Sequence, residues 1–379
     1  MYIRKTHLIV ISIILIIVTA VVSVTAVNPF GIKNLDKFIK FSITSKLLQH
    51  QYYQDIALDE AAEMSILGFT AATNDPYTSY IWGDDMISYL EQLEGNYCGV
   101  GLYIENDTEE NLISVASAIE GGPAFEAGIK SGDKILMIDG KNYAGTELSE
   151  AASYMKGEEN TEVTLTIRRA ETNDVNDITL IRRNIEIDTL SSKMLEKNIG
   201  YIKMTQFTEG VSEKLLTELH NLKEDGMQGL ILDLRDNPGG LLNEAVSCAS
   251  IFVPTDKIIT YTLNKNERKE EFLSIETDKI SIPMVILLNG GSASASEVLS
   301  GALRDYELAT IIGEKSFGKG VVQSVIPIGF DAMLTVTNST YYSPSGKCIH
   351  NSGIEPDIEI KLLENKDNQL DAAVEFLLK

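Results

Sequence analysis

The chain has 379 residues, which is enough for two or three domains that each bury a core of their own. Its 32 lysine and arginine residues are outnumbered by 55 aspartate and glutamate residues, which gives a formal net charge of −23. A chain this acidic, with no basic stripe, argues against nucleic acid as a partner, because phosphates need a positively charged surface.

The first residues are basic and are followed by an uncharged apolar run from Leu8 to Val27. A helix of that length spans a hydrocarbon core of roughly 30 Å, and Arg4 and Lys5 favour an orientation with the N-terminus inside. We therefore expect residues 1–27 to form a signal anchor, a single transmembrane helix, with the rest of the chain outside the cytoplasm. The alternative is a secreted protein, because Val24-Thr25-Ala26 would suit cleavage of a signal peptide.

The cysteines, Cys98, Cys248 and Cys348, are odd in number and show no metal-binding spacing. A disulfide framework and a metal site are therefore not expected. No cofactor is expected either. Cys248 lies in a predicted apolar helix and is interpreted as a core residue.

Residues 28–94 show a helical pattern of apolar residues, which Asn74-Asp75-Pro76-Tyr77 interrupts. This region carries no pattern typical of catalysis, and we interpret it as a packing or self-association element.

A second module, residues 95–183, begins with a glycine-containing loop and strand, from Tyr97 to Ile104. It continues with Gly122-Pro123-Ala124 and Ala127-Gly128-Ile129, and then with the run from Gly132 to Gly140. In the order of these motifs the module resembles a PDZ domain, and Arg182-Arg183 is interpreted as the linker that follows it. The resemblance implies that a peptide end binds at residues 98–102, namely Cys98, Gly99, Val100, Gly101 and Leu102. Successive backbone N–H groups there can hold a carboxylate, and the strand offers an edge for a peptide.

Strands and helices alternate over residues 184–360, which predicts an α/β core. The segment from Lys257 to Lys279 is charged and aperiodic, so we expect a surface excursion there. Residues 361–379 are predicted to end the chain in a helix.

An apolar strand, Pro283 to Leu288, leads into Asn289-Gly290-Gly291-Ser292-Ala293-Ser294-Ala295-Ser296-Glu297. A short strand that ends in glycines and opens a helix of small residues can hold a nucleophile at a sharp turn. The alternative is that Ser292 or Ser294 only caps the helix. The pattern by itself leaves both interpretations open.

The four histidines do not suit a Ser-His-Asp triad, whereas Lys319 lies between two glycines in Gly318-Lys319-Gly320. A serine hydrolase can use lysine as its base. The ordinary lysine pKa of about 10.4 must then fall to about 7–8, and burial is what lowers it. Phe317 and Val321 are expected to supply that burial.

Three runs, Asp233 to Gly240, Gly290 to Glu297 and Gly313 to Gln323, resemble the core motifs of the carboxyl-terminal processing peptidases, which are serine endopeptidases with a PDZ domain. The resemblance implies that Ser294 is the nucleophile, Lys319 the general base and Gln323 the residue that orients the lysine. It also implies that the backbone N–H groups of Ala295 and Gly240 hold the oxyanion, with Gly239 as an alternative second donor.

Two further expectations concern residues beside these motifs. Glu297 and Arg235 are expected to form a structural pair next to the site. Family members commonly have arginine where this chain has Lys156, so a contact between PDZ domain and protease through that residue is in doubt.

The predicted architecture is therefore multidomain α/β: an N-terminal anchor and helical segment, a PDZ domain of α+β type and a Ser/Lys protease core. The expected function is exported serine endopeptidase activity near the C-termini of protein or peptide substrates, which the PDZ domain delivers or gates. The resemblance also suggests a homodimer through the terminal helices. The alternatives are a catalytically silent, membrane-tethered PDZ scaffold and a non-proteolytic hydrolase or acyl transferase on a related core.

Overall fold

The computed structural model describes residues 31–379, apart from the side chain of Ile32. The chain divides into two compact units, residues 1–72 and 73–379. The predicted anchor, residues 1–27, lies outside the described residues. Within residues 31–379, no helix combines the length and the apolar character needed to cross a membrane.

The described part of the first unit is helical, as the sequence pattern predicted. A 3₁₀ turn at Ile32–Asn34 leads into α1 (Leu35–Gln51), and α2 (Leu58–Ala71) follows. Both helices leave many apolar side chains exposed; Ile43, for example, is 53% exposed.

The second unit contains most of the elements. Its helices, in chain order, are α3 (Asp84–Glu94), α4 (Pro123–Glu126), α5 (Leu148–Met155), α6 (Val211–Glu224), α7 (Leu242–Ser250), α8 (Ala295–Asp305) and α9 (Asn368–Leu377). Its strands are β1 (Ser79–Trp82), β2 (Asn96–Gly99), β3 (Leu102–Asp107), β4 (Leu112–Ala118), β5 (Lys134–Ile138), β6 (Lys141–Asn142), β7 (Glu162–Arg168), β8 (Val175–Ile181), β9 (Arg183–Glu186), β10 (Leu190–Leu195), β11 (Ile199–Met204), β12 (Gly229–Asp233), β13 (Ile258–Asn264), β14 (Lys269–Leu273), β15 (Met284–Leu288), β16 (Thr310–Gly313), β17 (Val321–Gly329), β18 (Ala332–Tyr342) and β19 (Ile358–Glu359).

The protease core is a six-stranded sheet in the order β10-β11-β12-β15-β16-β19. All its neighbouring strands are parallel except the antiparallel pair β10 and β11. Strand β15 is buried on both faces: Ile286 packs into a large cluster with α6, α7 and α8, and Val285 packs into a smaller one with α9. Burial on both faces explains why β12 and β15 are continuous apolar runs.

The PDZ module is built on a second sheet, in the order β3-β4-β5-β7-β8, with β6 paired to β5. Its core contains Ile113, Ile135, Leu165 and Ile167, which are fully buried. A separate two-stranded ladder joins β2 to β9, with Gly99 opposite Arg183.

A third sheet, in the order β1-β18-β13-β14 with β17 also paired to β18, corrects two expectations. Residues 79–82 are a strand and not part of a helix, because they pair with β18 from Thr335 to Ala332. The segment from Lys257 to Lys279 is not an irregular excursion, because β13 and β14 form a hairpin within it. Its charged residues lie on the exposed strand β14, at Lys269, Glu270 and Glu271, and in the turns and loops around the hairpin.

The structure also corrects the interpretation of Arg182-Arg183 as a linker. The guanidinium of Arg182 is buried and donates to the Thr161 hydroxyl and to the carbonyls of Glu162 and Tyr154. Arg183 begins strand β9. These two residues are therefore part of the folded PDZ module.

Candidate active site

The serine stretch forms a sharp turn between strand β15 and helix α8. Ser294 immediately precedes the helix and has φ 53° and ψ −111°, a conformation that is unusual for a residue with a side chain. Such strain persists only where the surroundings enforce it, and it is typical of functional turns. The structure therefore agrees with a strand–turn–helix unit built around Ser294.

Hydrogen bonding separates the three serines that the sequence left as rivals. Ser292 is fully buried and its hydroxyl donates to the Leu234 carbonyl at 2.8 Å. Ser296 is also fully buried and donates to the Asn237 carbonyl at 2.9 Å. Ser294 is partly exposed, and its hydroxyl donates to no described residue. Among the described residues, Ser294 alone of the three serines has a hydroxyl proton that is free to go to a base.

The turn Asn237-Pro238-Gly239-Gly240 supplies one side of a possible oxyanion hole. The N–H of Gly239 donates to Oδ1 of Asn237 at 2.9 Å, so that donor is already used. The N–H groups of Gly240 and Ala295 have no acceptor among residues 31–379. The free amides are thus those of Ala295 and Gly240, rather than that of Gly239.

Gly239 is required for the close approach of the two turns. A Cβ atom placed on it would lie 2.8 Å from Cβ of Ser294 and 2.9 Å from the backbone nitrogen of Ala295. Its φ of +104° also disfavours any residue other than glycine. Asn237, which is fully buried, fixes the same turn by donating to the Met204 carbonyl.

Glu297 connects the serine turn to the lysine loop. One carboxylate oxygen, Oε2, accepts the backbone N–H groups of Ser294 and Lys319, each at 2.9 Å. The other oxygen, Oε1, accepts the Ser316 hydroxyl at 2.5 Å and the Gly318 N–H at 2.8 Å. Glu297 is fully buried, so it fixes the positions of both turns from inside the protein.

The expected pair between Glu297 and Arg235 is wrong. Arg235 instead forms ion pairs with Asp233 at 2.6 Å and with Asp367, near the start of α9, at 2.8 Å. The carboxylate of Glu297 is instead satisfied by hydrogen bonds from backbone amides and a hydroxyl.

Lys319 is half-buried, and burial lowers the pKa of its amine while the charge of Asp75 works in the opposite direction. Phe317, which was expected to cover the lysine, is 59% exposed and does not do so. The cover comes instead from Tyr77, whose ring centroid lies 4.7 Å from Nζ of Lys319. Among the described residues, the Lys319 amine and the Ser294 hydroxyl form no hydrogen bond with each other.

Gln323 lies on strand β17 and its amide nitrogen donates to the Thr337 hydroxyl at 3.3 Å. The predicted role of Gln323, orienting the lysine, stays a prediction. The backbone of the lysine loop is held by Tyr341, whose hydroxyl donates to the Lys319 carbonyl at 2.6 Å.

A single cavity of about 250 Å³ collects these groups. Its walls include all five proposed catalytic and oxyanion residues: Ser294, Lys319, Gln323, Ala295 and Gly240. Helix α3 forms another part of the wall through Tyr89, Gln92 and Leu93. A free hydroxyl, a partly buried amine and two unpaired amides in one cavity can carry out acyl transfer.

Comparison with known proteins also indicates a peptidase with a PDZ domain. Residues 198–360 match the model of peptidase family S41, and residues 114–169 match a PDZ domain. The carboxy-terminal processing protease CtpA of Bacillus subtilis is 33% identical over 86% of this chain and 69% of its own length. The chain belongs to the carboxy-terminal processing protease family. A second family member, from Bartonella bacilliformis, is 40% identical over 76% of this chain and 67% of its own length.

The fold of this processing protease is also found among solved structures. The photosystem II D1 C-terminal processing protease matches with a TM-score of 0.50 and 25% identity, over 87% of this chain and 89% of that one. An S41 protease from Bacteroides fragilis has the same fold, with a TM-score of 0.54 and 17% identity over 86% of this chain and 91% of its own. The mixed α/β protease fold with a PDZ domain is thereby established.

The peptide-binding loop predicted for this processing protease lies where β2 ends and β3 begins. Cys98 and Gly99 pair with β9, and Leu102 begins β3, which pairs with β4. Between them, the N–H groups of Val100 and Gly101 have no acceptor among the described residues. Two consecutive free amides are compatible with carboxylate binding, and the ligand-binding role of this loop stays a prediction.

Lys156, where the family commonly has arginine, lies at the end of α5 and does contact a residue outside the PDZ module. Its Nζ donates to Oε2 of Glu91 in helix α3 at 2.5 Å. Because α3 also lines the catalytic cavity, a lysine at this position still connects the PDZ module to the cavity wall.

Sequence reasoning missed three residues of this site. The sequence places Asp75 and Tyr77 only in an interruption of a helical pattern, Asn74-Asp75-Pro76-Tyr77. Asn237 lies within the run from Asp233 to Gly240, but nothing in its spacing reveals that its side-chain amide and its backbone carbonyl hold the active-site turns in place.

Proposed function

We propose that this processing protease is an exported serine endopeptidase that cleaves proteins near their C-termini with Ser294 and Lys319. The observation that carries the proposal is the meeting, in one cavity, of the free Ser294 hydroxyl, the half-buried Lys319 amine and the unpaired amides of Ala295 and Gly240. Membership of the family supports the same reaction.

In the proposed reaction, the neutral amine of Lys319 accepts the hydroxyl proton while Ser294 Oγ attacks the carbonyl carbon of the scissile peptide bond. The resulting oxyanion accepts hydrogen bonds from the N–H groups of Ala295 and Gly240. Each donor of this kind contributes about 3–4 kcal/mol to transition-state stabilisation.

The tetrahedral intermediate collapses when the C–N bond breaks and the ammonium of Lys319 returns its proton to the leaving amine. Water then attacks the Ser294 ester while Lys319 accepts a proton from it. When the bond between the acyl carbon and Ser294 Oγ breaks, Lys319 returns that proton to Oγ, which releases the new carboxyl end and restores the serine. Gln323 is proposed to orient the amine of Lys319 by accepting a hydrogen bond from it with its amide oxygen, while its amide nitrogen donates to the Thr337 hydroxyl.

The PDZ module is proposed to bind the C-terminal or exposed apolar end of a protein substrate at residues 98–102. It would deliver that end to the cavity or gate the cavity through the contact between Lys156 and Glu91.

We further propose that residues 1–27 anchor the protein in a membrane with the protease outside the cytoplasm. A homodimer is proposed through the terminal helices; the exposed apolar residues of α1 and α2 support it.

A catalytically silent PDZ scaffold is not favoured. Binding alone would not need a strained serine with a free hydroxyl, a half-buried lysine beside it and two unpaired amides. A non-proteolytic acyl transferase would use the same groups, so the substrate decides between it and a protease.

The test is cleavage of casein and of a panel of exported proteins by the wild type and by matched variants. Ser294→Ala and Lys319→Ala should each abolish cleavage without loss of fold. Lys315→Ala is the control for the lysine, because Lys315 lies in the same loop but pairs with Glu355 at the surface. Near-wild-type cleavage by either dyad variant would refute the assignment, and labelling of Ser294 without cleavage of any protein would favour the transferase.

A further inference from the structure

The short segment before strand β1 packs directly against the proposed base. The ring of Tyr77 faces Nζ of Lys319 at 4.7 Å, within the range of a cation–π contact. Asp75 brings a negative charge to the same lysine. The segment is fixed in place because β1 pairs with β18, the strand that also pairs with β17 directly after Lys319.

Asp75 is held as a carboxylate by the turn in which it lies. It accepts the Thr78 hydroxyl at 2.6 Å and the Tyr77 N–H at 3.1 Å. Burial acts to raise the pKa of Asp75, but hydrogen bonds from Thr337 and Thr78 outweigh burial and lower it. The charge beside Lys319 is therefore present at neutral pH.

We propose that Asp75 and Tyr77 are positioning residues that hold the protonated form of Lys319 apart from Ser294, so that loss of the proton also frees the lysine to reach the nucleophile. This inference rests on the proposed function, in which Lys319 is the general base. It gives a role to a segment that lies outside the three core motifs.

The coupling follows from the physics of the contact. A ring face and a carboxylate attract an ammonium ion, but neither attracts a neutral amine comparably. Once the proton leaves, the amine of Lys319 is no longer attracted to the Tyr77 ring. It then becomes a hydrogen-bond acceptor for the Ser294 hydroxyl. The absence of a Ser294–Lys319 hydrogen bond among the described residues agrees with a protonated, held lysine.

Other titratable groups also face this lysine and its turn. Glu297 and Tyr341 contact the Lys319 backbone, from α8 and β18. His350 lies against the neighbouring Gly320 and brings its charge, when protonated, towards Asp75. Tyr89 of α3 lines the same cavity. Of the groups around the lysine, Tyr77 and Asp75 are the ones that act on the ammonium itself.

The test is the pH dependence of kcat/KM, which reports the pKa of the base in the free enzyme. Tyr77→Leu removes the ring face, so the protonated lysine is less stable and the acidic limb of the profile should move to lower pH by about half a unit to one unit. On that limb, kcat/KM would rise by up to about tenfold. Asp75→Asn, which keeps the side-chain shape but removes the charge, should move the limb in the same direction.

Two matched variants make the result specific. Tyr77→Phe keeps the ring and should keep the wild-type limb. Tyr261→Leu removes a lysine–tyrosine contact at 4.1 Å elsewhere, with Lys269, and should leave the limb unchanged.

An unchanged limb, or a shift to higher pH, in a folded Tyr77→Leu variant would overturn the inference. If Tyr77→Leu does not fold, Asp75→Asn decides in the same way. The activity of Ser294→Ala is measured in parallel. If Ser294→Ala is inactive but the acidic limb of Tyr77→Leu or Asp75→Asn does not move, only this inference is overturned. If Ser294→Ala keeps its activity, the proposed function itself is overturned.

Discussion

The carboxylate of Glu297 accepts the backbone N–H of Lys319 at 2.9 Å, with the same oxygen that accepts the N–H of Ser294 at the same distance. One buried atom therefore sets the spacing between the proposed nucleophile and base, although neither side chain touches it. The proposed catalytic geometry is therefore fixed through the backbone of two turns, and Glu297 does not occupy the side chains of Ser294 and Lys319.

Replacing Glu297 with glutamine should reduce kcat strongly, by roughly 10²-fold, because an NH₂ group would face amide donors and displace one of the two turns. The same clash should lower Tm by a few degrees. Steady-state kinetics and calorimetry measure the two effects. A glutamine variant with wild-type kcat would show that Glu297 does not fix the turns.

Replacing Gly239 with alanine should remove activity by roughly 10²-fold or more, because the added Cβ would lie within 3 Å of Ser294 and Ala295 and displace the oxyanion amides. Gly290→Ala is the matched control: it lies in the serine stretch, but an added Cβ there meets nothing within 4 Å. The two variants are compared in kcat/KM on one peptide. Equal activity would contradict the proposed oxyanion hole.

Replacing Lys319 with methionine should abolish activity yet raise Tm near pH 7 by roughly 1–3 °C. Burial lowers the pKa of Lys319 in the folded state, so the folded protein binds fewer protons than the unfolded one and wild-type stability rises with pH between the two pKa values. The methionine variant lacks this term. The difference in Tm between the methionine variant and the wild type should therefore become smaller as pH increases above 7. A difference that became larger would contradict a lowered pKa of Lys319.

Asp367 ties helix α9 to the protease sheet through Arg235 and also caps the helix by accepting the Leu370 N–H. Asp367→Asn should destabilise the protein by about 1–2 kcal/mol at pH 7, since it leaves the buried arginine less compensated. Asp371→Asn, which breaks a surface pair with Lys366, should change stability by less than about 0.5 kcal/mol.

The pH dependence of that loss has a defined sign. The Arg235 ion pair lowers the pKa of Asp367 in the folded protein. The stabilisation is therefore complete above the pKa that Asp367 has in the unfolded chain, and it disappears as pH falls through the pKa that Asp367 has in the folded protein. Denaturant unfolding at pH 7 and near pH 3 measures it. The difference between wild type and Asp367→Asn should shrink on acidification, and a constant difference would argue against the ion pair.

The PDZ module can be removed at a defined point, because Gly99 and Arg183 are opposite each other in the β2–β9 ladder. An Asn-Gly turn in place of residues 100–182 would close that ladder as a hairpin. None of the described residues that line the catalytic cavity lies in the deleted range. The shortened protein should still label at Ser294 but lose its preference for substrates with apolar C-termini.

The sequence predicted the protease core well where local pattern and fold agree. The apolar runs of β12 and β15 and the turns after them carry their own signal, because strands buried on both faces must be continuously apolar. Strand β1 could not be found in this way, because its four residues become a strand only by pairing with β18, which is far away in the sequence.

Contacts between segments that are distant in the sequence also escaped prediction within the candidate site. The sequence singled out Ser294 and Lys319, but the partners of Glu297 and the contact of Tyr77 with the lysine depend on turns brought together by the fold. Phe317 was expected to be buried from its position beside the lysine. The loop turns its ring outward instead, and Tyr77 covers the amine.

The central claim is that Ser294, activated by Lys319, is the nucleophile. The direct measurement is labelling with a fluorophosphonate, followed by mass spectrometry of the modified peptide. We expect modification at Ser294 in the wild type, none in Ser294→Ala, and a rate reduced by at least about 10²-fold in Lys319→Ala. Modification at Ser292 or Ser296, or undiminished labelling of Ser294→Ala, would contradict the account.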